Sequence, residues 1–126
     1  MSRSATARTA VALAAALLAV PALTSCASAA DSVATVTVKG GTGTCDVSPT
    51  SVPQGTITIS GSYTGEGTGE VYLYGKDGDA FTKVLGEVED LTSTAKSFTA
   101  EVQPGEYEIK CEGGGSETRV KLTVTG

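Results

Sequence analysis

From Ala34 onward the chain alternates. Ala34, Val36 and Val38 take turns with Thr35, Thr37 and Lys39, the two-residue period of a half-buried strand. Gly40-Gly41-Thr42-Gly43 reads as a break, and Cys45 and Val47 form a second short extended piece beyond it. Val52-Pro53-Gln54-Gly55 predicts a turn, with Pro suited to an early position and Gly to a left-handed one. Thr56 to Ser60 puts Ile57 and Ile59 on one face, and Gly61 to Gly69 predicts a glycine-rich loop. Val71 and Leu73 then oppose Glu70, Tyr72 and Tyr74, before a hairpin signal at Lys76-Asp77-Gly78-Asp79. A strand over Phe81 to Leu91, broken at Gly86, precedes the alternating set Phe98, Ala100 and Val102. Pro104-Gly105 turns the chain into Tyr107, Ile109 and Cys111, opposite Glu108 and Lys110. After Gly113-Gly114-Gly115, Val120, Leu122 and Val124 alternate with Arg119, Lys121 and Thr123.

Seven or eight short strands with turn signals between them predict an all-β Greek-key sandwich, the immunoglobulin-like sandwich being the generic alternative. No window beyond the N-terminal region repeats at 3.6 residues, and neither an internal repeat nor a second domain is visible.

The first 25 residues read differently. Arg3 and Arg8 form a small basic region, and Ala10 to Val20 is an apolar run ended by Pro21. That run is too short to span a bilayer comfortably and has the proportions of a signal peptide. Leu23-Thr24-Ser25-Cys26 fits a bacterial lipobox, in which the Cys26 thiol receives a diacylglycerol before cleavage. Ala27-Ser28-Ala29 fits an ordinary small-x-small cleavage site, which would give a secreted protein. The lipobox is the preferred reading, because Cys26 follows the apolar region directly and has no other role. The chain thus divides into a signal peptide with lipobox (1–25), a polar tether (26–32) and one domain (33–126). The expected location is extracytoplasmic, at the cell membrane through the lipid anchor.

Composition sharpens this. The 126 residues contain no His, no Trp, three Cys and one Met, the initiator. Without His there is no Ser-His-Asp triad, no His-assisted Cys nucleophile, no His-liganded zinc and no His₂Cys blue-copper centre. No Ser or Thr has a plausible base, so no enzyme activity is expected. Removing residues 1–25 takes away two basic residues and no acid, which turns 9 basic against 14 acidic into 7 against 14 and leaves 101 residues with net charge −7. That balance, with only four Tyr and two Phe, opposes nucleic acid or anionic lipid as a direct partner.

Two cysteines remain in an oxidising compartment, Cys45 and Cys111, both on inward parity. One reading is a disulfide closing a 66-residue loop, an effect of about 4 kcal/mol in the chain-entropy model. The other is a pair of thiolate ligands for a metal. Lesser candidates have plain alternatives beside them. Asp77-Gly78-Asp79 has two calcium-type ligands but reads as a turn, and Glu87, Glu89 and Asp90 form an acidic cluster that reads as a solvated strand edge. Tyr72 and Tyr74 form either a contact surface or an ordinary exposed pair.

Five stretches in fixed order carry a family resemblance. They are Cys45-Asp46-Val47-Ser48 with Val52-Pro53-Gln54-Gly55-Thr56-Ile57-Thr58-Ile59, Gly69-Glu70-Val71-Tyr72-Leu73-Tyr74, Leu85-Gly86-Glu87-Val88-Glu89-Asp90-Leu91, Val102-Gln103-Pro104-Gly105-Glu106-Tyr107 leading into Cys111, and a closing Leu122-Thr123-Val124-Thr125. Their order resembles the EfeO-type cupredoxin-like domain, the N-terminal module of extracytoplasmic proteins in the EfeUOB iron-uptake system. The resemblance spans Val33 to Gly126. It implies a cupredoxin-like sandwich and a copper or iron site made of Cys45, Cys111 and Glu70, in a protein accessory to iron uptake whose partners are that system's components. On residue parity alone Glu70 lies opposite Val71 and Leu73 and is exposed.

Two departures accompany the resemblance. Family members continue past the second Cys with a Lys-Pro-Gly-Met-like segment, whereas this chain reads Cys111-Glu112-Gly113-Gly114-Gly115. Larger members add a helical peptidase-like domain, so this sequence reads as a stand-alone module. The alternative function is a non-catalytic, disulfide-stapled envelope module that binds a protein or a glycan.

Overall fold

A computed structural model describes residues 31–126. The signal segment, both cleavage readings and Cys26 lie outside the described residues. Nine strands follow one another: β1 (Ala34–Gly41), β2 (Thr44–Ser48), β3 (Ser51–Pro53), β4 (Gly55–Tyr63), β5 (Gly69–Asp77), β6 (Ala80–Leu91), β7 (Lys96–Val102), β8 (Gly105–Gly113) and β9 (Ser116–Thr125). They form a four-stranded sheet in the order β2-β1-β4-β7 and a five-stranded sheet in the order β3-β9-β8-β5-β6. The chain crosses between sheets after β2, β3, β4, β6 and β7, as expected of a Greek-key sandwich.

The two-residue period does what it predicts. Val36, Val38, Ile57, Ile59 and Val102 of one sheet meet Val71, Leu73, Ile109, Leu122 and Val124 of the other, all nearly inaccessible to water. Each fully buried aliphatic side chain contributes about 1.5–3 kcal/mol of transfer free energy. Tyr107, just after the Pro104-Gly105 turn, holds the β7–β8 corner. Its hydroxyl donates to the Gln103 carbonyl and accepts from the Gln103 N–H, both at 2.9 Å. This is the hydrogen-bonding logic of the tyrosine corner of Greek-key sandwiches.

Breaks expected at glycines are not breaks. β1 runs through Gly40 and Gly41, β4 runs through Gly61 to Tyr63, and β6 runs through Gly86. Gly40, Gly61 and Gly86 are inward positions that a ring or branched chain fills. A β-carbon on Gly61 would stand 3.1 Å from Leu91 and 3.3 Å from Val71, and one on Gly86 would overlap the Phe98 ring. β3 was also expected to be turn. Pro53 fits a strand there because β3 is an edge strand, where a missing N–H leaves no ladder bond unmade. The hairpin at Asp77-Gly78-Asp79 is present, with Gly78 at φ 66° between β5 and β6.

Candidate functional site

Cys45 and Cys111 are joined as a disulfide with their α-carbons 5.6 Å apart. The bridge ties edge strand β2 of one sheet to β8, an inner strand of the other. Cys111 is 3% exposed and Cys45 is half-buried. Beside them Tyr63 plugs the end of the core. Its ring is the reason glycine recurs nearby: a β-carbon on Gly69 or Gly113 would overlap it, and one on Gly40 would stand 3.2 Å from it and 3.7 Å from the Cys111 β-carbon. The Tyr63 hydroxyl donates to the Glu66 carbonyl and meets the Thr42 hydroxyl, each at 3.3 Å. A buried tyrosine and its loops therefore close this pole of the sandwich.

Glu70 is not with the cysteines. It pairs across strands with Glu112, while its neighbour Val71 pairs with Cys111. Successive side chains of a strand point to opposite faces. Cys111 and Val71 face the core, so Glu70 and Glu112 face outward. The Glu70 carboxylate instead accepts a short hydrogen bond from the Tyr72 hydroxyl, which holds the phenol neutral to well above its ordinary range. With both sulfurs bonded to each other and the carboxylate across the sheet, Cys45, Cys111 and Glu70 do not fit a metal in this form. Among the described residues no three Cys, Asp or Glu converge on a point where a metal ion would sit.

The lesser candidates are placed as follows. Asp77 and Asp79 are exposed residues of the hairpin turn. Glu87 lies beside Tyr72 on the outer face of β6, and the Glu89 and Asp90 carbonyls accept from Lys96 at 3.2 and 3.3 Å. Tyr72 and Tyr74 stack with ring centroids 5.8 Å apart.

Sequence reasoning missed the residue that organises that tyrosine pair. Lys110, in register between Tyr72 and Arg119, is 8% exposed. Its ammonium stands 4.3 Å from the Tyr72 centroid and 5.3 Å from that of Tyr74. Burial works against its charge, but Glu112 at 2.8 Å and Tyr74 outweigh burial, and the ammonium is held above its ordinary range. Arg119 stands 4.9 Å from the Tyr74 centroid and pairs with Glu117 and Glu108 at 3.0 and 3.1 Å. Lys121 and Lys76 both meet Glu106, at 3.0 and 3.3 Å. The alternation of Glu108, Lys110 and Glu112 was visible in the sequence; that Tyr72 lies opposite Lys110 depends on register, which was not.

The outer face of the four-stranded sheet has another character. β1 presents Thr35, Thr37 and Lys39, and β4 presents Thr56, Thr58, Ser60 and Ser62. Ser97 and Thr99 of β7 and Ser48 of β2 extend the same rows: Thr35, Thr58 and Thr99 align, and Ser48, Thr37, Ser60 and Ser97 align. The cross-strand neighbours Lys39 and Asp46, with Glu101 at the edge strand, are the charges of this face.

No protein-family model matches the chain, and no curated protein does. Among solved structures it is similar to the sodium-dithionite-reduced auracyanin of the photosynthetic bacterium Roseiflexus castenholzii. The two share 17% identity over 75% of this chain and 98% of that one, with a TM-score of 0.59. The fold is cupredoxin-like. At that identity the likeness concerns the fold alone. On this cupredoxin-like frame no histidine stands anywhere in the chain, which leaves no His₂Cys ligand set.

Proposed function

We propose that this protein is a lipid-anchored, extracytoplasmic cupredoxin-like module that binds a partner without catalysis, its sandwich stapled by the Cys45–Cys111 disulfide. The observation that carries this reading is the inter-sheet bridge itself: it occupies both thiols while Glu70 sits on the far side of β5. A structural disulfide also belongs in an oxidising compartment, in accord with the signal segment and the Cys26 lipobox. A non-reducing peptide map of the native protein, combined with elemental analysis, tests it. The expected result is a quantitative Cys45–Cys111 crosslinked peptide without stoichiometric metal. Two free thiols with a bound metal would overturn the reading.

A second reading rests on the same two residues. Reduced, Cys45 and Cys111 would present two thiols side by side, a soft donor pair suited to copper, and the EfeO-type resemblance extends this to copper or iron in a protein accessory to iron uptake. Anaerobically reduced protein should then take up about one Cu(I) or Fe(II), and Cys111→Ser should abolish uptake. Unchanged uptake by that variant would remove the reading.

A further inference from the structure

We infer that the Cys45–Cys111 bridge is a thiol-exchange site of the folded protein: a dithiol opens it by attack on Cys45, with Cys111 as the leaving sulfur. This deepens the stapled-module reading and rests on it, since the module must carry the bridge before the bridge can be opened.

The two halves of the bridge stand in different surroundings. Cys111 lies on inner strand β8, with Val71 and Thr118 as its register partners on either side, and is nearly inaccessible to water. Cys45 lies on edge strand β2, is half-buried, and lines an open cavity of about 640 Å³ together with Val47, Val120, Lys39 and Asp46. The cavity follows from the topology. β2 ends one sheet, and in the other β3 pairs only with Thr123–Thr125, which leaves the stretch of β9 that carries Val120 uncovered. Both sheets are thus open on the flank where Cys45 stands. Lys39 and Asp46 oppose each other in register, so this mouth carries no net charge and does not turn away an anionic thiolate as the rest of an acidic domain would.

Access decides the chemistry. Thiol–disulfide exchange depends on which sulfur a thiolate can reach, and exposed bridges are the labile ones. A thiolate of the dithiol attacks the Cys45 sulfur, the Cys45–Cys111 bond breaks, and Cys111 leaves as a thiolate that takes up a proton. The second sulfur of the dithiol then attacks the mixed disulfide and releases Cys45 as a thiol. Two electrons and two protons pass to the bridge, and the dithiol departs as a disulfide. The fold is placed to survive this step. β2 brings only the partly buried Cys45 and Val47 to the core, whereas Cys111 and the buried aliphatic residues belong to the other strands.

Reduction of the wild-type protein under native conditions tests the inference, with circular dichroism to report that it stays folded. Glutathione followed by acid quench, alkylation and peptide mapping should give a mixed disulfide on Cys45 and an alkylated Cys111. With dithiothreitol the opening rate should rise in proportion to dithiol concentration and stay nearly constant in about 1 M urea, where an opening that waits for global unfolding would speed up about fivefold or more. Thioredoxin in place of dithiothreitol separates the sources: opening by both assigns a protein dithiol as the reductant, and opening by dithiothreitol alone assigns a small one. Glutathione found on Cys111, a rate that climbs with urea, or a bridge that stays closed while the protein is folded overturns the inference and leaves the stapled module standing. Free thiols with bound metal in the untreated protein would instead remove the module reading itself.

Discussion

On the five-stranded sheet the outward side chains are committed to one another: Tyr72 to Glu70, Lys110 to both tyrosines and Glu112, Arg119 to Tyr74, Glu108 and Glu117. On the four-stranded sheet the outward hydroxyls of Thr37, Thr58, Ser60 and Thr99 have no side-chain hydrogen bond among the described residues. Both faces belong to one sandwich and enclose one core, so the core does not explain the difference. A face whose polar groups are mutually satisfied adds to stability and has little left for a ligand. One whose polar groups are stiff, neutral and free adds little to stability and keeps its hydrogen bonds available. The contrast teaches that one outer face of this molecule contributes to its stability and the other contributes little.

The largest effect should come from the link between the two sheets. Cys45→Ala/Cys111→Ala opens the 66-residue loop and should lower stability by about 4 kcal/mol in urea or thermal unfolding. A loss below about 1 kcal/mol would mean that hydrophobic packing alone holds the sheets together. Next comes Lys110→Ala, which removes the buried cation from between its tyrosines and leaves Glu112 without its partner at 2.8 Å. It should cost about 1–3 kcal/mol by chemical denaturation. A neutral result would show that the cation–π cluster is incidental and would erase half of the contrast.

How much of this could be read in the sequence follows from one property of strands. Parity is local: the alternation around Val36, Ile57, Leu73 and Ile109 states which side chains go inward, and every one of them is buried. The same logic put Cys45 and Cys111 inward and Glu70 outward. Register is not local. That Glu70 meets Glu112 and Tyr72 meets Lys110 depends on how β5 and β8 slide past each other, so the Lys110 cluster could not be read from spacing, whereas the separation of Glu70 from the cysteines followed from parity. Glycine misled for a related reason. Gly40, Gly61 and Gly86 read as breakers because their value lies in what the opposite sheet or strand places there, namely Tyr63, Leu91 and Phe98.

Acid should act on one face more than on the other. Hydrogen bonds from Arg119 to Glu117, and from Lys121 and Lys76 to Glu106, hold those two carboxyls below their ordinary range. Groups lowered in the folded state stabilise it above their unfolded value of about 4.3, and that stabilisation is lost as pH falls through the folded values. Tm should therefore be flat from about pH 5 to 8, where a chain without His has no side chain of ordinary pKa to titrate, and fall below about pH 4. Both carboxylates are solvent-exposed, so the fall should be modest and shrink in high salt. Arg119→Ala should flatten the part due to Glu117; an unchanged acid limb in that variant would locate the titration elsewhere.

The smallest effect is the most discriminating. Thr58 stands in the middle of its sheet, aligned with Thr35 and Thr99, half-buried and without a side-chain hydrogen bond among the described residues. Thr58→Val keeps the β-branch and shape and deletes only the hydroxyl, so thermal unfolding should change by no more than about 0.5 kcal/mol. Tyr72→Phe deletes a hydroxyl on the other sheet, where Glu70 depends on it, and should cost about 1 kcal/mol. If Thr58→Val costs as much as Tyr72→Phe, its hydroxyl has a partner within the protein and is not free for a ligand. If it costs nothing, the hydroxyl has no part in folding, and the division between the two faces stands at a single oxygen atom.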